Sequence, residues 1–149
     1  MHKVSDEIAA SVDIPLIHIA DATGIRLVKA GITNVGLLGT RFTMEQAFYK
    51  NRLSEIFDIE VQVPEKTERQ LVHDVIYQEL CRGQVTDKSR DQFLAIIEQL
   101  QQKGAQAVIL GCTEIALLVS QSDTQIALFN TTEIHAAAAV EFALEDNSQ

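Results

Sequence analysis

The sequence predicts an α/β fold in which a parallel sheet is flanked by helices. Short apolar runs such as Val35-Gly36-Leu37-Leu38 and Ala107-Val108-Ile109-Leu110 have strand length and no polar alternation, the pattern of strands buried on both faces. Between such runs lie segments with apolar residues at helical spacing, clearest at Phe93, Ile96, Ile97 and Leu100. The runs also break into glycine and polar turns, at Gly39-Thr40 and at Gly111-Cys112-Thr113-Glu114, as strands do where they hand over to helices. Strands alternating with helices require parallel pairing with helical crossovers.

In chain order, Val4, Ile8, Ala9 and Val12 among charges predict a short helix. Ile14-Pro15-Leu16-Ile17-His18-Ile19 predicts a strand with its proline at the first positions, where a missing N–H is tolerated. Asp21 and Thr23 are expected caps of a helix running through Ala30 and closed by Gly31. After the strand at Val35 to Leu38, Thr43 is the expected cap of a helix from Met44 to about Ile56. Glu60-Val61-Gln62-Val63 predicts a strand stopped by Pro64. From Glu65 two helical segments are expected, one to about Val75 and one over Ile76 to Cys81, stopped near Gly83. A helix over Lys88 to Lys103 ends at Gly104 and precedes the strand Ala107 to Leu110. Ile126-Ala127-Leu128-Phe129 is the last strand, and Asn130 with Glu133 has capping-box spacing at the start of an alanine-rich helix to about Leu144. Residues 145–149 are expected to fray.

Composition narrows the function classes. The chain has 149 residues, 46% hydrophobic and 22% charged, enough for one domain with a real core. Its 21 acidic against 12 basic residues give a formal charge of −9, which argues against a nucleic-acid partner. No apolar run approaches bilayer-spanning length and residues 1–7 lack the apolar core of a secretory signal, so no membrane partner and a cytoplasmic location are expected. Cys81 and Cys112 stand in unlike contexts, without cysteine or histidine at zinc-ligand spacing, so neither a disulfide framework nor a structural metal is expected.

In a parallel sheet, three strand exits converge on one edge: Gly39-Thr40, Gly111-Cys112-Thr113 and Asn130-Thr131-Thr132. Hydroxyls, an amide, a thiol and helix amino termini there suit a small anionic ligand such as a carboxylate. Two readings of Cys112 are open. Beside a helix amino terminus it is an activated thiol, or it is a small apolar residue packed at a turn. Capping accounts for Thr43 and Asn130 but poorly for Cys112, because cysteine is not a preferred cap.

These residues carry a family resemblance. Ala107 to Ile115, with Val35 to Thr40 and the closing Asn130-Thr131-Thr132-Glu133-Ile134-His135-Ala136, resembles the aspartate/glutamate racemase family, most closely the aspartate racemases and their broad-specificity amino-acid racemase relatives. The resemblance implies a cofactor-independent racemase with two similar α/β lobes, an amino-acid substrate held in the cleft between them, and one acid/base residue from each lobe. It implies Cys112 as the second-lobe base, with Thr40, Thr113, Glu114, Thr131 and Thr132 around the substrate. It assigns residues 1–30 to a remnant of the first lobe, 31–130 to a near-complete second lobe, and 131–149 to a helix returning to the first.

One feature departs from the family pattern. The first-lobe base precedes Asn-Thr-x-His in the family, and Met1-His2-Lys3 looks like the end of that motif, so the first base is expected before Met1 and the chain is expected to be a truncated racemase. Racemisation needs groups on both faces of the substrate, so other residues were weighed. Cys81 lies near a helix carboxyl terminus, where the dipole disfavours a thiolate. His2 adjoins the missing motif at a chain end. His135 either faces the cleft or covers the sheet, His18 is a satisfied core residue, and His73 is a solvated helix position. Two competing functions are a non-catalytic fragment acting as a binding or assembly module, with apolar surface that favours self-association, and a thiol hydrolase using Cys112 and His135, for which no nucleophile elbow is present.

Overall fold

The computed structural model describes residues 4–145. His2 and the end of the expected frayed tail lie outside them. Helix α1 (Ser5–Ser11) forms where the apolar spacing of Val4 to Val12 predicts it. The strand expected at Ile14 to Ile19 does not form. Residues 12–18 are irregular, and α2 (Ile19–Lys29) starts directly after them. His18 is the reason: it is buried, and its Nδ1 accepts the Ala20 N–H at 3.1 Å, so it opens a helix. Ile14 and Leu16 are exposed, with no neighbouring strand among the described residues to pair with. A short apolar run does not by itself distinguish a strand from such a segment.

Asp21 and Thr23 sit inside α2 and do not cap it. Asp21 pairs with Arg52 through two hydrogen bonds of 2.5 and 2.8 Å, and the Thr23 hydroxyl donates to the Ile19 carbonyl. The helix closes as expected at Gly31, whose φ of +70° lets the Gly31 and Ile32 N–H groups reach back to the Val28 and Leu27 carbonyls.

Strand β1 (Asn34–Leu38) leads into α3 (Arg41–Glu45) and α4 (Ala47–Phe57). A single helix capped by Thr43 was expected; the chain instead breaks at Gln46, and Thr43 lies within α3. The break has a packing cause. Met44 is buried with Leu38 and Val72 against one face of the sheet, whereas Tyr49 and Leu53 are buried with Val35 and Leu37 against the other. One straight helix cannot serve both faces.

Strand β2 (Glu60–Gln62) stops before Pro64. The two helical segments expected beyond it are one helix, α5 (Lys66–Gln78), because Val72, Val75 and Ile76 form a continuous buried stripe. It opens with a reciprocal Glu65–Glu68 capping box and is followed by a 3₁₀ turn at Leu80–Arg82. Then come α6 (Asp87–Gln102), β3 (Ala107–Leu110), α7 (Ile115–Leu118), β4 (Ala127–Asn130) and α8 (Thr131–Glu145). Asn130 caps α8 by accepting the Thr132 N–H, one residue earlier than the capping-box spacing suggested. No helix among the described residues is long and apolar enough to cross a membrane.

The four strands form one parallel sheet in the order β2-β1-β3-β4. Their side chains alternate between two cores. Leu38, Val108 and Leu110 point into the layer formed with α5, α6 and α7, around Phe93, Ile97 and Leu100. Val35, Leu37, Ala107 and Ile109 point into the layer formed with α2 and α4, around Leu27, Tyr49 and Leu53. Helix α2, from the stretch 1–30, is thus part of this core, and α8 packs along its outer side.

Candidate active site

The topology itself locates a site. From β1 the chain moves to β2 on one side, and from β2 it returns past β1 to β3 on the other. Connections leave in opposite directions from β1 and β3, which opens a crevice beyond their carboxyl ends, where open α/β sheets bind ligands. Leu38 is in register with Leu110, and Leu110 with Asn130, so the three strands end at one level. Gly39-Thr40, Gly111-Cys112 and Thr131-Thr132 therefore emerge side by side, across about 10 Å at ordinary strand spacing.

Hydrogen bonds tie these exits together. The Gly111 N–H donates to the Leu38 carbonyl at 2.7 Å, and the Thr131 hydroxyl donates to the Leu110 carbonyl at 2.9 Å. A side chain at position 111 would place its Cβ 2.9 Å from the Leu38 carbonyl oxygen and 3.4 Å from Thr43 Cγ2. Only glycine lets β1 and β3 close up under the Cys112 turn. Thr43 covers Gly39 as well, and its hydroxyl lies 3.3 Å from that of Thr40. Sequence spacing suggested Thr43 as a cap; its structural role is to roof the junction of two strand exits. Thr40 is half-buried at the N-cap position of α3, with no side-chain capping bond.

Cys112 is half-buried, and its thiol donates to Glu114 Oε2 at 2.8 Å. The exposed Thr113 hydroxyl donates to the same oxygen at 2.7 Å. Burial pushes the Cys112 thiol up to about 12, and the Glu114 carboxylate adds to the rise; the Glu114 backbone N–H opposes it. The two hydroxyl and thiol donors hold the Glu114 carboxyl below its ordinary value, Cys112 first and Thr113 second. Of the two readings of Cys112, these shifts favour the packed, protonated thiol: burial dominates, and the helix following the turn has only the four residues Ile115–Leu118, so its dipole offers little opposition.

The remaining strand-end residues divide. Thr131 is buried with its proton engaged by Leu110, and Thr132 is exposed beside it. Outside the exits, Cys81 is exposed on the 3₁₀ turn, which packs against α7. His135 Nε2 donates to the Ile17 carbonyl at 2.8 Å, tying α8 to the segment before α2. His18 is buried and hydrogen-bonded, as expected. His73 is not a solvated position: half-buried on α5, it accepts the Arg41 N–H at the start of α3 and packs against Tyr77. That contact joins residues 32 apart in sequence, so no local pattern signals it.

A concavity of about 310 Å³ lies elsewhere, between α2 and α8, lined by Ile17, Ala22, Ile25, Ala138 and Phe142. It shares no residue with the strand exits. No group of three or more His, Cys, Asp or Glu side chains placed to hold a metal occurs among the described residues.

Comparison with known proteins agrees with this architecture. A candidate Asp/Glu racemase from Yersinia pestis superposes with a TM-score of 0.93 at 50% identity, over 97% of this chain and 63% of its own. An aspartate racemase homologue from Pyrococcus horikoshii OT3 gives 0.88 at 35% identity, over 95% of this chain and 62% of its own. This chain thus spans less than two thirds of either neighbour. An uncharacterised protein of the pnlA 3′ region in Pectobacterium carotovorum subsp. carotovorum is 31% identical over 107 residues, which cover 71% of this chain and 69% of that protein. The family model described as Asp/Glu/Hydantoin racemase matches residues 1–139, from the first residues through the strand exits and into α8, and the chain belongs to that family.

Proposed function

We propose that this chain supplies one side of a cofactor-independent amino-acid racemase of the aspartate/glutamate type, with Cys112 as one of two acid/base groups. Inversion at Cα requires a proton to leave from one face and another to arrive on the opposite face. Exchange of two protons conserves oxidation state, so the scheme calls on no cofactor. The observation that carries the reading is the position of Cys112 at the β1/β3 switch point, in a family whose members are racemases.

An amino acid's α-carboxylate would lie over the exits, near the hydroxyls of Thr40, Thr113 and Thr132. Donors there stabilise the carbanionic transition state as charge spreads toward the carboxylate. The opposing acid/base group belongs, on this reading, to a first lobe that the described residues do not include. The reading places the chain in the cytoplasm, where the free thiols of Cys81 and Cys112 stay reduced.

Cα hydrogen–deuterium exchange tests it. Each enantiomer of aspartate and glutamate is incubated with the protein in D₂O, and exchange is expected into at least one. Cys112→Ala should reduce that exchange by roughly a hundredfold or more, the range for loss of a general acid/base. A folded chain that exchanges no enantiomer would refute the proposal.

A second reading, a non-catalytic assembly module that self-associates, is favoured by one observation. Val12, Ile14, Leu16, Ile25, Val28, Val140 and Phe142 are all exposed on the segment before α2 and on α2 and α8. Sedimentation over a concentration series separates the two, because a monomer at every concentration counts against the module.

A further inference from the structure

The chain between α1 and α2 is held by two imidazoles. His18 stands at the N-cap of α2, 6% exposed and with extended backbone, and its Nδ1 accepts the Ala20 N–H at 3.1 Å. His135 reaches across from α8 and donates from Nε2 to the Ile17 carbonyl at 2.8 Å. These bonds fall on adjacent residues, yet acid acts on them in opposite ways. A ring nitrogen that accepts an N–H carries no proton, so His18 is neutral with its proton on Nε2, and protonation would set one donor against another. A ring nitrogen that donates keeps its proton in the cation, so the His135 tie survives.

We propose that His18 is a pH-sensitive clasp: neutral, it closes the first turn of α2, and protonated, it releases that turn while His135 keeps Ile17 tied to α8. The clasp does not depend on the racemase reading. The closed form binds one proton fewer than the open form, so closure weakens as pH falls.

The groups facing His18 among the described residues do not hold an imidazolium in the closed form. Asp21, on α2, is already engaged by Arg52 of α4 through two hydrogen bonds. From α8 comes His135, and from α1 come Ser5 and Ile8, which are uncharged. Glu141 of α8 lines the outer hollow beside His18, where Arg26 and Lys29 of α2 offset it.

The released turn bears on the sheet. Ala20 is wholly buried in the layer that holds Leu37 and Ile109, each two residues before the glycine of a strand exit. Acid would therefore loosen that layer at its α2 end.

Hydrogen exchange at the Ala20 amide, followed by NMR from about pH 8 to about pH 5, covers the range in which histidine changes charge and ordinary carboxylates do not. Protection, corrected for the intrinsic pH dependence of exchange, should fall about fivefold or more, the equilibrium worth of a typical side-chain cap. The Nδ1 resonance of His18 should leave the unprotonated position with the same midpoint. His18→Asn keeps a capping oxygen that cannot titrate, so its protection should stay flat; His135→Gln should leave the fall in place. The proposal is overturned by wild-type protection that holds throughout, by an equal fall in His18→Asn, or by loss of the fall in His135→Gln. If the variants do not fold, the two wild-type midpoints decide, and unequal midpoints overturn it.

Discussion

The two faces of this sheet are finished differently. Against the α5, α6 and α7 layer, Phe93, Ile97, Leu100, Ile109's neighbour Leu110, and Ile115 are almost wholly enclosed. The other face has an equally dry inner layer at Leu27, Leu37 and Leu53, but beyond it α8 is apolar nearly all round, from Ile134 through four alanines to Val140 and Phe142. Such a helix is normally covered on every side; here Val140 and Phe142 remain exposed. The difference teaches where the site gets its rigidity. The residues following the Cys112 turn, Ile115, Leu118 and Val119, are anchored in the finished layer, so the turn is held without help from the open side.

Removing a large side chain from the finished face should therefore have the largest effect. Phe93→Ala, at a fully buried position, is expected to lower the unfolding free energy by about 3–5 kcal/mol in urea denaturation. It should also loosen the Cys112 turn, seen as a broadened pH profile of thiol alkylation. A loss of under about 1 kcal/mol would mean that this layer is not the one that holds the fold.

The contrast also explains what could be read from sequence. Strands β1 and β3, α6 and the Gly111-Cys112 turn were legible because uninterrupted apolar runs and an i, i+3, i+4 stripe report burial. Ile14 to Ile19 misled for the converse reason: its apolar residues lie on the open face, where hydrophobicity no longer reports strand pairing. The break at Gln46 was hidden because the two parts of that segment serve opposite faces of the sheet. At the site, sequence placed Cys112 at the strand exit with Glu114 in the same turn. It could not give the proton's location, which depends on the direction of the Glu114 carboxylate and on a helix only four residues long. Thr43 and His73 act across distance, over Gly111 and at Arg41, and leave no local signature.

On the inner layer of the open face, Tyr49 offers a pH test. Burial pushes its phenol from 10.0 up to about 12, with the Thr23 hydroxyl opposing. A group whose folded pKa is raised stabilises fully below its unfolded value and ceases to do so as pH climbs through the folded one. Stability should fall between pH 10 and 12, by up to about 3 kcal/mol for two units. Cys112, raised from 9.0 to about 12, contributes a decline in the same direction beginning near pH 9. Tyr49→Phe should flatten the part above pH 10 in denaturant titrations, and an unchanged slope would show that the inner layer admits water.

Gly111→Ala tests the junction between the faces. Its Cβ would meet the Leu38 carbonyl, which is backbone and cannot rotate away. A loss of about 1–3 kcal/mol is expected, together with faster Cys112 alkylation as the turn lifts from β1. Wild-type stability and alkylation in this variant would mean that β1 and β3 part there at little cost.

The smallest stability effect belongs to the open surface. Ile14 is 73% exposed and Val140 58%, so Ile14→Ser and Val140→Ser remove little area already hidden from water. Each should change unfolding free energy by no more than about 0.5 kcal/mol, and the Cys112 alkylation profile should stay that of the parent protein. Their effect should appear instead in association: light scattering against concentration should show a shallower rise for the double variant than for the parent chain. A stability loss approaching that of Phe93→Ala would mean that the outer side of α8 is as integral to the fold as the finished layer, and the contrast between the two faces would fail.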